Sequence, residues 1–520
     1  MTVVTFGARR EHIDVSPRSR VRRWARLVVR LFAPGESLGE RVATGGVWLS
    51  ALTAADRLVR LAMLVVLARL LSPEAFGVVG LGLVAVAVLR KVLRLGLDEA
   101  LIQDEQADVD AYLDTTWTLT VLRGFALWGI ASLAAPAVAD TVGEPQLTAV
   151  LPVLALSSVV GGFRNPGVIY FRKELAFHRQ FTYSVSGTVV QAAVAVSAAL
   201  AWGTAWALVA GLLAGSAART VASHLLHPYR PRPGFDPAAA RELLGYGKWI
   251  FGSGILLLLL NQGDDAIVGW LLGASALGLY GMAFRFSNAP ATEVSHVIAK
   301  VTFPAFSKVQ DDVEELREGF LRTVRAVAYL SFPMAVGVAA VAPVFVQAAF
   351  GPKWLPMVET MRVLALWGAL RALVAVVGPL FKATDRPHYS TALQASRLVI
   401  VAALLYPATV AWGTVGTAAA LVASAVIQNP IALFIALRTV DASANRLLRS
   451  LALPTAGALL MGGTVVAASR TLAPASPFIE LAALVTIGVI AYLAVLAVGV
   501  RLFDVGLDRD VASLRRALTG

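Results

Sequence analysis

The sequence predicts an all-α integral membrane protein in which about fourteen transmembrane helices form two pseudo-symmetric bundles, with both termini in the cytoplasm. The first observation is composition: 57% of the 520 residues are hydrophobic and only 15% are charged, whereas an ordinary soluble protein carries about 25% charged residues. The second is the recurrence of apolar segments of roughly 20 residues, the length that crosses a bilayer as a helix. The third is a repeat that relates the two halves of the chain. Most of this protein must therefore lie in lipid.

The apolar segments run from Val42 to Leu502 and are separated by short polar breaks. We place the predicted spans, each close to ~20 residues, at 44–70, 76–95, 115–138, 147–166, 181–201, 204–225, 246–271, 276–299, 324–349, 357–381, 390–410, 414–437, 449–469 and 479–502. The corresponding domains are a cytoplasmic basic tail at 1–41, an N-terminal transmembrane bundle at 42–225, a cytoplasmic linker at 226–245, a C-terminal transmembrane bundle at 246–438, the last two transmembrane helices at 439–503 and a cytoplasmic tail at 504–520.

Residues 18–32 of the basic tail have the sequence RSRVRRWARLVVRLF, which supports two interpretations. Trp24, Val28 and Leu31 fall on one helical face and the arginines mostly elsewhere, a pattern typical of an amphipathic helix that lies on anionic cytoplasmic lipid. The alternative is a disordered segment whose positive charge orients the protein in the membrane. Both interpretations remain open at the level of sequence.

The distribution of lysine and arginine indicates the topology. With both termini inside, roughly 35 of the 45 Lys and Arg fall in cytoplasmic segments or at their edges, as the positive-inside bias requires. Only Lys353 and Arg470 fall in the predicted outer connections. The segment 98–114 is acidic instead, but acidic residues contribute little to orientation. The net charge of +12 therefore reflects basic cytoplasmic loops, and we expect no nucleic-acid partner.

Residue usage also excludes several kinds of site. The chain has no cysteine and six scattered histidines without an H-x-x-x-H pair. Disulfides, thiolate ligands and cysteine nucleophiles are therefore excluded, and a zinc site is not expected. The outer connections have about a dozen residues or fewer, which is too short for an outer domain. We expect no catalytic residue, no metal and no organic cofactor.

The two halves of the chain repeat each other at a constant offset. Trp48 aligns with Trp249 and Gly77 with Gly278, and both pairs are 201 residues apart (249 − 48 and 278 − 77). In each half a long span is followed by a tight outer turn and a second span. Parallel repeats of this kind build transporters whose substrate site lies between the halves near mid-depth. The alternative is chance similarity between apolar helices, and the shared Trp and turn at one offset weigh against it.

Polar residues interrupt the predicted span 246–271 near its middle. Asn261, Gln262, Asp264 and Asp265 follow a run of leucines, and a carboxylate at bilayer depth costs a few kcal/mol even on lenient insertion scales. These side chains must therefore face a hydrated cavity or an opposite charge. We expect them to line the cavity, where Asp264 or Asp265 could bind a coupling H⁺ or Na⁺.

Arginines supply the opposite charge. Asp56, Arg57 and Arg60 lie half-way along the first span, and Asp56 and Arg60 are four residues apart and can pair on one helix face. Arg285 and Arg123 add cations in two further spans. Because a guanidinium binds phosphate oxygens through two parallel hydrogen bonds, these four arginines are candidates for binding an anionic substrate in the cavity.

Interhelical salt bridges that fix the packing are the alternative role for charged residues inside spans. For the arginines nearer the ends of the spans we prefer that structural role, or extension of the side chain to the membrane surface. These residues are Arg69, Arg362, Arg371 and Arg397.

Several motifs together resemble the polysaccharide transporter family, whose members are Wzx-like lipid-linked oligosaccharide flippases of the multidrug/oligosaccharidyl-lipid/polysaccharide export superfamily. The segment NQGDDAIVGWLLGASALGLYGMAFR at 261–285 matches the family pattern at Asp265, Gly269, Gly273, Gly278, Tyr280 and Arg285, with Asp264 as a further match. Further stretches that resemble the family are ARLLSPEAFG at 68–77, VTFPAFSKVQDD at 301–312, FGPKWLPMVETMRVLA at 350–365 and KATDRPHY at 382–389. The resemblance covers residues 40–500.

The resemblance implies two bundles around a V-shaped cleft, as in the multidrug (MATE) branch of the superfamily, that rock between inward- and outward-open states. It implies a lipid-diphosphate-linked oligosaccharide as substrate, flipped from the cytoplasmic to the outer leaflet of the inner (plasma) membrane. Membrane lipids and the machinery of polysaccharide polymerisation and export are the implied partners. By position in the related peptidoglycan-precursor flippase, Arg57, Arg60 and Arg285 are the residues expected to hold the diphosphate.

Two other functions remain open at this stage. A multidrug/cation antiporter of the same superfamily would need an acidic and aromatic cleft, and the arginines argue against it. A membrane polymerase or ligase of lipid-linked sugars would need an outer domain or a long outer loop to hold its acceptor, and the outer connections are short.

Overall fold

The computed structural model describes residues 38–93, 109–174, 176–472 and 476–502, and within them the chain is helical. The helices are α1 Leu38–Leu70, α2 Pro73–Val92, α3 Val109–Val142, α4 Leu147–Gly162, α5 Phe177–Trp202, α6 Trp206–Leu226, α7 Pro237–Lys308, α8 Val313–Ala349, α9 Val358–Val374, α10 Val377–Ala383, α11 Pro387–Thr439, α12 Ala444–Thr471 and α13 Pro477–Leu502. Short helical turns precede α5 and α9, at Pro166–Ile169, Tyr170–Lys173 and Pro352–Met357. The predicted amphipathic helix at 18–32 and most of the acidic segment 98–114 lie outside the described residues.

The helices confirm an all-α protein that crosses the membrane many times. In the described part of the chain, ten segments are long and apolar enough to cross a bilayer. The segments that contain α7 and α11 are each divided by a helix break, at Gly273 in α7 and at Trp412 and Gly413 in α11. Helix α1 is rich in charge and α4 has only 16 residues, although both lie where crossings are predicted. The number of membrane crossings, fourteen, therefore remains a prediction.

The helix breaks confirm the repeat. Ser72 separates α1 from α2 and caps α2, because its hydroxyl accepts a hydrogen bond from the Ala75 N–H at 3.2 Å. Gly273 breaks α7 with φ 80° and ψ −179°, a conformation that favours glycine. It lies 201 residues after Ser72 (273 − 72), which is the offset predicted from Trp48 and Trp249. Each half therefore turns back across the membrane at the same place.

The two turns contact each other reciprocally. A Cβ placed on Gly77 would lie 1.6 Å from the backbone oxygen of Ala274, and one placed on Gly278 would lie 1.9 Å from the backbone oxygen of Pro73. Gly278 follows Gly77 by 201 residues, and Ala274 follows Pro73 by the same number (274 − 73). The same contact is thus made twice with the halves exchanged, as at the interface of a two-fold dimer. The pseudo-two-fold axis passes between the turns, on the predicted outer side.

A second set of contacts joins the halves at this end. Arg69, at the end of α1, donates from its Nε to the Ala349 carbonyl oxygen at 2.9 Å, and Lys353 Nζ donates to the Arg69 carbonyl oxygen at 2.9 Å. The fully buried Trp354 donates from Nε1 to the Ala68 carbonyl oxygen at 2.8 Å. The first half is therefore held against the second on the predicted outer side, and Arg69 has the packing role expected for it.

The connection between the halves is shorter than the predicted linker 226–245. Its extended part covers residues 227–236, and α7 begins at Pro237 because proline has no N–H to lose and its φ suits the first helical turn. The extended part packs on the start of α3, where Asp114 accepts hydrogen bonds from the Tyr229 hydroxyl and from the Arg232 N–H. The predicted domain boundaries otherwise stay predictions.

Candidate functional site

A polar cluster lies where α1 packs against α5 in the first half. Arg60 Nε donates to Asp56 Oδ2 at 2.7 Å, which confirms the predicted pairing four residues apart. The same guanidinium donates to the Thr188 hydroxyl on α5 at 3.2 Å, and that hydroxyl donates to the second oxygen of Asp56. Nearly half of the Arg60 side chain remains exposed, at 47%. The guanidinium is thus held in place by two partners and still accessible.

Arg219, on α6, belongs to this cluster as well. Its aliphatic stem fills the space beside Gly187 of α5, where an added Cβ would lie 2.3 Å from Arg219 Cγ. From that position its charge interacts with Arg60 and Asp56 of α1 and with Arg164 beyond the end of α4. Arg164 also lies over the ring of Tyr183, 5.9 Å from its centroid. Asp56 therefore interacts with two guanidiniums, those of Arg60 and Arg219, and Arg164 interacts with Arg219.

Arg123 extends the positive charge toward α2. It donates from a terminal nitrogen to the Arg90 carbonyl oxygen at 3.4 Å. The Arg90 guanidinium donates to the hydroxyls of Ser157 and Ser158 on α4, at 3.1 and 3.0 Å, and interacts electrostatically with Arg123 and Arg164. Arg123 is therefore connected to Arg60 only indirectly. Each cation interacts with the next in the order Arg123, Arg90, Arg164, Arg219 and Arg60.

Arg285 connects the first half with the second. It lies on α7 beyond the break at Gly273, is exposed, and interacts electrostatically with Arg60 and with Asp265. The complete set, in which each cation interacts with the next, is called here the arginine series. It consists of Arg123, Arg90, Arg164, Arg219, Arg60 and Arg285.

The two adjacent aspartates face different neighbours. Successive side chains on a helix point about 100° apart, so Asp265 interacts with Arg285 whereas the buried Asp264 accepts a hydrogen bond from the Tyr280 hydroxyl at 2.7 Å. Asp264 also interacts electrostatically with Arg397 of α11. In this conformation the aspartates thus lie next to Arg285 and Arg397, and not next to the arginines of the first span.

The remaining predicted residues lie on the same helices. Arg57 is exposed on α1, one turn before Arg60. On α7, Asn261 is exposed and its amide donates to the Leu257 carbonyl oxygen at 2.7 Å, within its own helix, and Gln262 is half-buried. These residues are placed next to the charged positions, and their roles stay predictions.

Sequence reasoning did not identify Arg90, Arg164 or Arg219 as candidates. All three lie within or at the edge of predicted spans. A charged residue in a span was the signal that could have identified them as candidates. What the sequence does not show is that α5 packs against both α1 and α6 and that α4 packs against α2 and α6. Those contacts turn scattered arginines into one series.

The geometry of the series suits a multivalent anion. Asp56 interacts with Arg60 and Arg219 of the series, and Asp265 interacts with Arg285. Excess positive charge held in a protein cleft attracts anions and binds their oxygens through short, charge-assisted hydrogen bonds. In the described parts of the chain, no three His, Asp or Glu side chains are grouped so as to hold a metal ion.

Known proteins resemble this chain in both sequence and fold. It is 27% identical to the lipopolysaccharide biosynthesis protein WzxC of Escherichia coli over 356 residues, 68% of this chain and 72% of that protein. It is 23% identical to the teichuronic acid biosynthesis protein TuaB of Bacillus subtilis over 385 residues, 72% and 80% of the two chains. Among solved structures, the lipid II flippase MurJ in an inward closed conformation superimposes with a TM-score of 0.68 at 13% identity, over 87% of this chain and 98% of that one.

The last likeness shows that this chain and MurJ share a fold. Residues 66–359, more than half of the chain, match the profile of the family described as "Polysaccharide biosynthesis protein". That match covers the pseudo-two-fold contact, the helix break at Gly273 and Arg285. The chain is an integral membrane protein that belongs to the polysaccharide biosynthesis protein family.

Proposed function

We propose that the protein flips a lipid-diphosphate-linked oligosaccharide from the cytoplasmic to the outer leaflet of the cytoplasmic membrane. The observation that carries this proposal is the arginine series. By the predicted topology, Arg90, Arg164 and Arg219 lie toward the cytoplasmic ends of α2, α4 and α6, and Arg60 and Arg285 lie deeper. The positive charge therefore leads from the cytoplasm to the boundary between the halves.

The physical task explains why such a series is needed. A diphosphate with attached sugars cannot pass ~30 Å of hydrocarbon unaided, because an unpaired charge in that medium costs tens of kcal/mol in idealised estimates. Guanidiniums in a hydrated cleft replace the water that the diphosphate loses, while the lipid tail stays in the bilayer. The contacts of Gly77, Gly278 and Arg69 join the halves on the predicted outer side. Contact at the outer side supports a state that is open toward the cytoplasm.

The names of similar proteins agree with this assignment. WzxC and TuaB are named for the biosynthesis of lipopolysaccharide and teichuronic acid, and the structural relative is a flippase. We infer transport without catalysis, and an excess of arginine disfavours the export of cationic drugs. We further propose that H⁺ or Na⁺ drives the cycle through Asp265, which competes with the substrate for Arg285.

The proposal is tested with purified protein in vesicles that contain a fluorescent lipid-diphosphate oligosaccharide in both leaflets. A membrane-impermeant quencher should reach only the outer leaflet of empty vesicles, about half of the fluorescence. With the protein present, nearly all of it should become accessible. A fluorescent phosphatidylcholine with the same label serves as the control, since it has no diphosphate. Loss of half of the signal with and without protein, or equal flipping of phosphatidylcholine, would contradict the proposal.

A further inference from the structure

A cavity with several polar side chains in its lining lies inside the C-terminal half, apart from the arginine series. Helices α9, α10 and both parts of α11 surround about 190 Å³, which is less than the ~300–1,000 Å³ of a site for a drug-sized ligand. Its polar lining consists of two arginines, three carboxamides and one hydroxyl: Arg371, Arg397, Gln394, Gln428, Asn429 and Ser390. Among the described residues, none that lines this cavity is acidic. We call it the C-half cavity.

The two arginines of the C-half cavity share one aromatic ring. The guanidinium carbons of Arg371 and Arg397 lie 5.2 and 5.5 Å from the ring centroid of Trp367, which is itself only 3% exposed. Electrostatic attraction to the indole face holds each cation, but the two like charges also repel each other. Both residues were expected to fix helix packing or to extend to the membrane surface, and their position on a cavity wall differs from that expectation.

Within the described residues, the carboxylate that interacts with Arg397 already accepts another hydrogen bond. Asp264 interacts with Arg397, but its carboxylate also accepts the hydrogen bond of the Tyr280 hydroxyl. A buried cation is stabilised when an opposite charge and good hydrogen-bond geometry accompany it. A carboxylate that entered the cavity would provide both to the guanidiniums that line it.

The carboxamides supply a second kind of contact. Asn429 donates from its amide nitrogen to the Leu370 carbonyl oxygen at 2.8 Å, and Gln428 donates to the Leu393 carbonyl oxygen. Their nitrogens are thus engaged with the backbone of α9 and α11, and their carboxamide oxygens are the groups that can accept from a ligand. Sugar hydroxyls are the donors that match such acceptors.

We propose that the C-half cavity binds one carboxylate-bearing sugar unit, such as a uronic acid, of the carried oligosaccharide. The carboxylate accepts hydrogen bonds from the arginines that line the cavity, Arg371 and Arg397, and the ring hydroxyls donate to Gln428 and Asn429. This inference rests on the proposed function, because it takes the occupant to be part of the same substrate. A phosphate group would use the guanidiniums but not the carboxamide acceptors, and a dianionic phosphate has no hydroxyl to donate to them.

Binding of three probes to the full-length protein in detergent micelles tests the proposal, with ligand-observed NMR as the readout. The probes are methyl β-D-glucuronide, methyl β-D-glucoside and inorganic pyrophosphate. We expect the glucuronide to bind about tenfold more tightly than the glucoside, because a hydrogen bond to a charged group is worth roughly that factor or more. Equal binding of the two sugars would overturn the proposal, and this comparison needs no variant.

Substitutions then locate the binding. R371Q and R397Q should each weaken glucuronide binding about tenfold and leave pyrophosphate binding unchanged. Arg438 is the matched control, because its guanidinium lies 5.1 Å from the Phe434 ring centroid on the same helix α11 but does not line the cavity. R438Q should change neither probe. If R397Q fails to fold, R397K, which keeps the charge without the planar fork, should give an intermediate loss.

Three outcomes would contradict the proposal. If R371Q and R397Q weaken pyrophosphate binding instead, the cavity holds phosphate. If R438Q weakens the glucuronide as much as R397Q does, the loss comes from a general change in packing. If all variants bind the glucuronide like the wild type, it binds elsewhere. Preferential glucuronide binding without any lipid flipping would overturn the proposed function alone, whereas flipping with equal binding of both sugars would overturn this inference alone.

Discussion

The two halves of the chain share an outer turn but differ in the charges beside it. Gly77 and Gly278 are equivalent and make equivalent contacts. At mid-depth, however, Arg60 corresponds to Asn261 (261 − 60 = 201) and Met63 to Asp264 (264 − 63 = 201). Each turn packs against its own counterpart, so the two must keep matching shapes. The proposed site between the halves takes a substrate without two-fold symmetry, so its two sides can differ.

The largest expected effect is a loss of stability when the glycines shared by the two outer turns are substituted. Gly77→Ala and Gly278→Ala place a Cβ within 2 Å of a backbone oxygen, and overpacking against atoms that cannot move should cost about 3 kcal/mol or more. The thermal unfolding midpoint in detergent should fall strongly for both. Gly281→Ala, on the same helix as Gly278 with no neighbouring atom within 4 Å, is the control and should unfold like the wild type. Equal stability of all three variants would show that the reciprocal contact is wrong.

The next largest expected effect is on anion binding, which should depend on the arginines and not on the equivalent asparagine. Arg60→Gln and Arg285→Gln should each weaken pyrophosphate binding at least about tenfold, because each removes a charge-assisted pair of hydrogen bonds. Asn261→Ala changes the position equivalent to Arg60 and removes a hydrogen bond only within its own helix, so it should leave binding unchanged. Titration calorimetry on the full-length protein measures all three. If Asn261→Ala weakens binding as much as Arg60→Gln, the assignment of the anion site to the arginines fails.

Substitution of the aspartates in the second half tests whether an ion gradient drives flipping. Asp265→Asn leaves Arg285 without the carboxylate that interacts with it, so the substrate should be held more tightly and released more slowly. Flipping in vesicles should slow and should no longer respond to an imposed H⁺ or Na⁺ gradient. Asp56→Asn, in the first half, should slow flipping but keep the response to the gradient. Wild-type rates in the Asp264→Asn/Asp265→Asn double variant would remove the aspartates from the cycle.

The smallest effect concerns the support of Arg60. Thr188→Val removes a hydroxyl that accepts from Arg60 and donates to Asp56, which should cost about 1 kcal/mol and weaken pyrophosphate binding about fivefold. Ser197→Ala is the control on the same helix, because that hydroxyl bonds only to the Ala193 carbonyl oxygen of α5. Similar affinities in the two variants would show that Arg60 does not depend on Thr188 for its position.

Much of the fold could be predicted because its signals are local. Helix positions follow from apolar length, and the offset of 201 predicted a tight outer turn in each half. Ser72 and Gly273, which end the first helix of each half, both lie in these turns. The Asp56–Arg60 pair was predictable because residues four apart share a helix face.

Contacts between distant segments were not predictable in this way. Arg219 lies beside Arg60 because α1 and α6 both pack against α5, and no periodicity shows which helices are neighbours. Arg371 and Arg397 lie near the ends of spans, where arginine usually extends to the membrane surface, yet both lie against Trp367 in a cavity. Gly77 and Gly278 helped to define the repeat, but glycine is common in membrane helices, so their contact with the opposite turn was not predictable.

The central claim is that guanidiniums at the boundary between the halves hold the diphosphate while the lipid is flipped. The most direct measurement is the rate of flipping of a lipid-diphosphate oligosaccharide by the Arg60→Gln/Arg285→Gln double variant, in the vesicles used for the wild type. If the claim is correct, a variant with a wild-type unfolding midpoint will flip no faster than empty vesicles. A folded double variant that flips the lipid at the wild-type rate would contradict it.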